Sequence, residues 1–295
     1  MKKSLFILFV SLIVSAHAQE EIVVTMKNKS FSIGEVPAFV SFIPEANYAQ
    51  VVKAWEKYLE QGTKEKVSFE NGEYVILSKA YEKVSSTPLN IYAYLKEYER
   101  ELLLVCAIQM NGEFISKEMD EEIYIPAKKY VRDFAVESYK NAVSDKIKEE
   151  EKVLKKLESD KNQLTLQKEN ILSSINQYER NTITKQDDIT LNKLDLSNKV
   201  IQIQAQKELI LQLANAGEEA QEEAEKVLKD MEKDFKKLQK ANENLHQDIA
   251  YNESQIRLEE SSKKGIESQL KFLQLDIDDQ EYKLRKLQQK LDDIQ

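Results

Sequence analysis

The sequence predicts an α+β head, an antiparallel sheet of about four strands with one or two helices, followed by a long all-α coiled coil. Three observations carry that reading. All four prolines (Pro37, Pro44, Pro88, Pro126) and four of the six glycines precede residue 127, so the remaining 169 residues are almost free of helix breakers. Fourteen of the 24 aromatic residues lie between Gln19 and Pro126. Beyond them, apolar residues recur every three and four positions up to Gln295. The corresponding segments are 1–18 as a signal peptide, 19–135 as the head and 136–295 as the coil.

Residues 1–18 combine Lys2 and Lys3, an apolar run over 5–14, and the small-x-small site Ala16-His17-Ala18. A core of ten residues, interrupted only by Ser11, falls well short of the ~20 that span a bilayer. The expectation is therefore a cleaved bacterial export signal and a periplasmic or secreted protein, with no transmembrane segment after cleavage. Loss of Lys2 and Lys3 takes the formal net charge from −9 to −11. With only five arginines in the chain, nucleic acid is not an expected partner. Cleavage also leaves His246 and Cys106 as the lone residues of their types, so no intrachain disulfide can form.

In the head, residues 36–43 (VPAFVSFI) read as a strand closed by Pro44. Asn47 with Gln50 marks a helix start, and Val51, Val52, Trp55, Tyr58 and Leu59 keep helical spacing until Gly62. Residues 66–70 and 74–77 flank Asn71-Gly72, a strong hairpin signal. Residues 89–96 and 102–110 read as a second strand pair turning at 97–100, and Asn111-Gly112 leads into Phe114-Ile115. Pro126 suits the first turn of the next helix.

Trp55, Tyr58, Tyr92 and Tyr94 are expected in the core and on sheet faces. Cys106, inside an apolar run, is expected as a buried structural thiol. The residues form no catalytic, cofactor-binding or metal-binding constellation: the head has no histidine to serve a serine or cysteine nucleophile, and there is no glycine-rich phosphate loop. Glu118, Asp120, Glu121 and Glu122 cluster before the long helix, where a two-carboxylate hydrolase or a weak calcium site would draw on them. An acidic helix start accounts for the same residues. His246 falls at a flanking heptad position, as a solvated side chain.

The coil can be counted. With a at Leu228, the a and d series run to Leu291 and Ile294, and fifteen of twenty positions are apolar; Asn242 and Asn252 are polar exceptions suited to fixing register. With a at Ile147, the preceding series is looser, carrying seven apolar residues of ten at a and five of ten at d. Leu191, Leu194, Val200, Ile201 and Leu209 lie off that seam, the mark of a helix with more than one neighbour. The phase breaks between Ile210 and Leu228 around Asn215-Ala216-Gly217. Two arms of about 110 Å at 1.5 Å per residue, turning near 215–219, make an antiparallel hairpin the expected form. One continuous helix with a stutter is the alternative.

The signal, the stretch EVPAFVSFIP followed by VVKAWEKYL, the PLNIYAYL strand and the Lys/Glu-rich coil together resemble an uncharacterised group of exported bacterial proteins. That resemblance implies the same head-and-coil fold and carries no activity. The expected function is non-enzymatic: the head binds a partner or surface, and the coil oligomerises, spaces or tethers in the cell envelope. The partners expected are further copies of the chain and an envelope protein. A holdase chaperone is the alternative, since the outline resembles the tentacled trimeric chaperone of outer-membrane proteins, although that type is basic. The hairpin adaptors that join inner-membrane pumps to outer-membrane channels are a further likeness, but they return into additional β domains.

Overall fold

The computed structural model describes residues 21–82, 84–98, 101–213 and 218–295. The segment 1–18 read as a signal peptide and the turn expected around Asn215-Ala216-Gly217 lie outside the described residues. The chain divides into two compact units, Met1–Leu154 with Gln280–Gln295, and Lys155–Asp279.

The first unit is built on one antiparallel sheet of seven strands: β1 (Val24–Phe31), β2 (Gly34–Pro44), β3 (Ser68–Glu70), β4 (Glu73–Tyr81), β5 (Ser85–Tyr98), β6 (Glu101–Met110) and β7 (Glu113–Phe114). The order is β1-β2-β6-β5-β4-β3, with β7 also on β6. β2 pairs β6 from Glu101 to Cys106 and β7 takes up Gln109 and Met110, so the two share one edge of β6 in succession.

Seven strands replace the four or so expected. The excess lies where side-chain pattern is weakest. β1 (VTMKNKSF) is an edge strand carrying Lys27 and Lys29, a composition that protects an edge but hides a strand from a search for apolar alternation. β3 and β7 have three and two residues, too few for any period.

Two Asn-Gly pairs set their hairpins. Asn71 (φ 54°) with Gly72 (φ 82°) and Asn111 (φ 52°) with Gly112 (φ 87°) hold the paired positive φ of two-residue turns. β4 continues past Leu77 through an irregularity at Ser78 (φ 54°), whose N–H is met by Asn90 Oδ1 at 2.8 Å. The extra residue reverses the parity of the strand. Tyr74 and Ile76 face the core before it, Lys79 and Tyr81 after it.

α1 (Tyr48–Glu60) starts where Asn47 Oδ1 accepts the Gln50 N–H at 3.2 Å, and buries Val51, Trp55 and Leu59. α2 (Glu121–Leu213) opens at Asp120, whose carbonyl accepts from the N–H groups of Ile123 and Tyr124. Pro126 is therefore the sixth helical residue, not part of the first turn. Its missing N–H leaves the Glu122 carbonyl without a helical donor, at a residue exposed to solvent. The main core lies between the sheet, α1 and the first turns of α2, and Ile294, near the end of α3 (Glu218–Asp293), is buried in it.

The opposite sheet face carries a smaller cluster of Phe31, Val36, Ala38, Val40, Val105 and Ala107. The sheet curls over it: Ser32, in the β1–β2 turn, donates its N–H (2.6 Å) and Oγ–H (2.9 Å) to the Glu73 carboxylate at the start of β4. Phe31 and Tyr94 rings meet there at 5.3 Å.

In the second unit, α2 and α3 are bridged by Lys161–Gln274, Lys168–Glu267, Lys185–Asp248, Lys199–Asp234 and Lys207–Glu232. The α3 partner number falls as the α2 number rises. Screened residues recur at three and four positions, as at Leu164, Lys168, Ile171, Ile175, Tyr178 and Thr182 on α2. On α3 they include Leu228, Met231, Phe235, Leu238, Asn242 and Leu245. No helix among the described residues is long and apolar enough to cross a membrane.

Candidate functional site

The surface of the first unit with the most shape lies between α1 and α2. Three adjoining cavities of about 210, 430 and 390 Å³ share lining residues along it. Ala54, Ser138 and Asn141 line the first two, and Tyr58 and Gln61 the second and third. Small side chains keep the helices from filling the gap: Ala46, Ala54 and Ala142 make its apolar floor. The polar lining mixes amides, from Asn47, Gln50, Gln61 and Asn141, with charged groups: Asp145 at the first cavity, where it accepts from Gln50 Nε2 at 3.3 Å, Lys57 and Glu137 at the middle one and Glu82 at the third.

The walls are fixed by aromatic packing. Trp55 meets Phe134 edge-on at 4.6 Å, and Tyr58 stacks obliquely on Tyr130 at 4.6 Å. Tyr58 Oη donates to the Tyr130 carbonyl at 3.0 Å, and Tyr130 Oη to the Tyr58 carbonyl at 3.5 Å, a reciprocal clasp between the two helices. Burial raises the pKa of both phenols above the usual tyrosine range.

At one end of the groove the C-terminus of α1 is capped from the sheet. Lys79, 2% exposed, donates through Nζ to the Leu59 and Gln61 carbonyls, and Tyr81 Oη donates to Leu59 as well, at 2.8 Å. An ammonium group at a helix C-terminus meets the negative end of the peptide dipoles. Burial nevertheless lowers its pKa to about 8, against a smaller opposing effect of Glu60.

The acidic and nucleophilic residues singled out in the sequence do not converge on this groove. Cys106 is fully buried in β6, where burial pushes its thiol up. His246 is exposed on α3, in the other unit. Glu118, Asp120, Glu121 and Glu122 are all exposed, and Glu118 accepts from Ser116 Oγ at 2.8 Å. Among the described residues no group of three or more His, Cys, Asp or Glu side chains could hold a metal ion. Trp55 is fully buried and Tyr58 forms a groove wall, whereas Tyr92 and Tyr94 lie on the far face of the sheet.

Sequence reasoning did not reach Ser138, Asn141 or Lys79. The first two carry no signal beyond being small or polar on a helix. Lys79 faces inward only because of the irregularity at Ser78. A groove lined by amides and charged groups over an apolar floor can hydrogen-bond the polar groups of an extended chain while burying small side chains.

No family model matches this sequence, and no curated protein or solved structure matches it either.

Proposed function

We propose that the protein is a non-enzymatic, exported interaction protein of the bacterial cell envelope, periplasmic or secreted. The head holds a partner segment in the α1–α2 groove, and α2 with α3 form an antiparallel coiled-coil hairpin that spaces, oligomerises or tethers. The observation that carries the head's part is the run of three cavities along α1 and α2, with its apolar floor and its amide and charged lining. The hairpin reading is supported by the five cross-bridges of reversed numbering and by the three-four recurrence of screened residues. The export reading rests on residues 1–18, and the resemblance to uncharacterised exported proteins agrees with it.

The test is a photoreactive side chain placed at Asn141 in the protein expressed in its own cells. One or two envelope proteins captured from Asn141, and not from an exposed control position at Lys64, are expected. Equal recovery from both positions would remove the groove from the account.

Exposed large apolar residues on the paired helices, Ile183, Leu191 and Ile201 among them, favour a second reading as a holdase chaperone. That reading requires the purified protein to suppress aggregation of an unfolded outer-membrane protein at near-stoichiometric ratio.

A further inference from the structure

The two ends of the α1–α2 groove are fixed in different ways. At the middle and third cavities the Tyr58–Tyr130 clasp and the packing of Trp55 on Phe134 join the helices directly. At the first cavity Ala46, Ala54 and Ala142 leave the gap unfilled. There polar contacts cross it, from Gln50 Nε2 to Asp145 at 3.3 Å and from Lys146 Nζ to Glu45 at 2.6 Å.

The second of these contacts also involves α3. Glu45 immediately precedes Ala46 and Asn47, which line the first cavity, and Asn47 caps α1. Its other carboxylate oxygen accepts from Lys290 of α3, also at 2.6 Å. Glu45 sits at φ 57°, in the left-handed region that a residue with a Cβ enters at a cost. Such a conformation persists where neighbours hold it, and here lysines from two helices do.

Lys290 belongs to a docked segment. Leu284, Leu287, Leu291 and Ile294 recur at three and four positions and pack on the main core, Ile294 being 2% exposed. Lys290 Nζ also lies 5.4 Å from the centre of the Tyr139 ring on α2. Further along, Gln280 Nε2 donates to the Glu150 carbonyl at 2.9 Å, and Lys283 pairs with the Glu150 carboxylate at 2.6 Å. Tyr139, Lys146 and Glu150 share one stripe of α2, and Ser138, Asn141 and Asp145, which line the groove, share the adjoining one. α2 therefore carries the groove on one stripe and its ties to Glu45 and the end of α3 on the next.

We propose that the last turns of α3 are a strap that sets the opening of the groove at its first cavity, with Glu45 and Lys290 as its positioning residues. This rests on the groove as the partner site and adds its regulation: the groove takes its partner segment when α3 has docked on the head. With the strap seated, Glu45 is held between α2 and α3, and the start of α1 stands at a fixed distance from α2. With it released, Glu45 loses one of the two cations that keep it at positive φ, and Ala46 and Asn47 move with it. A site competent in a tenth of the molecules binds about ten times more weakly. Linkage runs both ways, so a partner in the groove also holds the strap down.

The test is pulsed electron paramagnetic resonance on the full exported chain, with spin labels on cysteine pairs; buried Cys106 stays unlabelled. Lys53 with Lys140 reports the first-cavity end, and Gln61 with Lys129 the clasped end. Both distances should be narrow in the parent protein. Lys290→Gln with Ile294→Ala should broaden the first at least twofold and leave the second unchanged. Lys290→Arg, which keeps a cation for Glu45, should leave both narrow. Trp55 is the only tryptophan of the chain, so its unchanged emission would show that the head remains folded. If the emission shifts, Lys290→Gln alone is read in its place, with the same expectation. Capture from Asn141 should fall at least threefold in the variant that broadens the distance.

A Lys53–Lys140 distance that stays narrow overturns the proposal. So does equal broadening of both pairs, which would make the end of α3 a stabiliser of the whole head. Capture that survives the broadened distance overturns it too. Distances that respond to the strap, with no specific capture from Asn141 in the parent protein, would support the strap and remove the groove reading instead.

Discussion

β6 and the 189–206 stretch of α2 are both apolar on two sides, and they meet different fates. β6 reads as a nearly continuous apolar run. Its even positions, Leu102, Leu104, Cys106 and Ile108, enter the main core, while Val105 and Ala107 join the cluster on the other face. Both sides have neighbours within the chain. In α2 the side toward α3 is screened, although half its residues are polar, while Leu191, Leu194 and Ile201 face solvent. Two-sided apolarity in a sequence signals two neighbours. The head supplies both from its own chain, and the helix pair supplies one.

The sharpest contrast is in stability. Trp55 is wholly buried between the sheet and α2, against Phe134 and Tyr58. Trp55→Ala should cost the head about 3–5 kcal/mol, the usual range for deleting a large core aromatic. Ile201→Ala on the outward face of α2 should change monomer stability by less than about 0.5 kcal/mol, as exposed sites do. Urea unfolding at low protein concentration would compare them. A cost at Ile201 close to that at Trp55 would mean that the α2 face is covered within one chain, and the comparison would fail.

Why these differences escape the sequence can be traced residue by residue. The β2, β4, β5 and β6 segments are legible because their apolar or β-branched runs end at Pro44, Asn71-Gly72 and Asn111-Gly112, and turn chemistry is local. α1 is legible from Asn47, Gln50 and the Val51–Trp55–Leu59 spacing. β1 is not, because an edge strand needs only one good face and Lys27 and Lys29 occupy much of the other. The continuation of β4 is not, because one positive φ at Ser78 exchanges which side chains point inward. The groove escapes for a different reason. It is defined by what Ala54, Ser138 and Ala142 fail to fill, and a void between helices leaves no pattern in either.

A smaller effect distinguishes the head from the helices by pH. Glu45, at the end of β2, accepts from Lys146 of α2 and Lys290 of α3, both at 2.6 Å, within the first unit. Burial alone would raise its pKa, but the hydrogen bonds and charges of the two lysines outweigh it and hold the carboxyl below its ordinary value. A carboxylate depressed in the folded state binds fewer protons there than in the unfolded chain at mildly acid pH. Its contribution is complete above the unfolded value near 4.5 and is lost as pH falls through the folded value. Unfolding measured from pH 6 down to pH 3 should therefore show a loss that Glu45→Gln reduces. Lys185→Gln, which removes the exposed Asp248 partner in the second unit, should leave the acid slope nearly unchanged, because surface pairs contribute little.

The smallest effect comes from the interior of the helix pair, and it has the opposite sign to the core deletion. Asn242 and Asn252 are buried between α2 and α3, and Asn242 Oδ1 and Asn252 Nδ2 have no hydrogen-bond partner. A buried amide atom left unsatisfied costs about 1–3 kcal/mol, part of which is regained when an apolar side chain replaces it. Asn242→Leu should raise the stability of the second unit by about 1 kcal/mol, where Trp55→Ala lowers that of the first by several times as much. The gain carries a structural consequence. An apolar seam with fewer polar positions admits more registers, since a buried asparagine penalises pairings that face it with an apolar side chain. Cysteines introduced at Lys168 and Glu267, whose native side-chain tips meet at 3.2 Å, would report the register through a flexible thiol-reactive crosslinker that spans what the two long side chains span. The expected outcome for Asn242→Leu with Asn252→Leu is a higher melting temperature together with a lower yield of that crosslink. A higher melting temperature with an undiminished yield would show that the cross-helix ion pairs alone fix the register, and that the asparagines are only a cost.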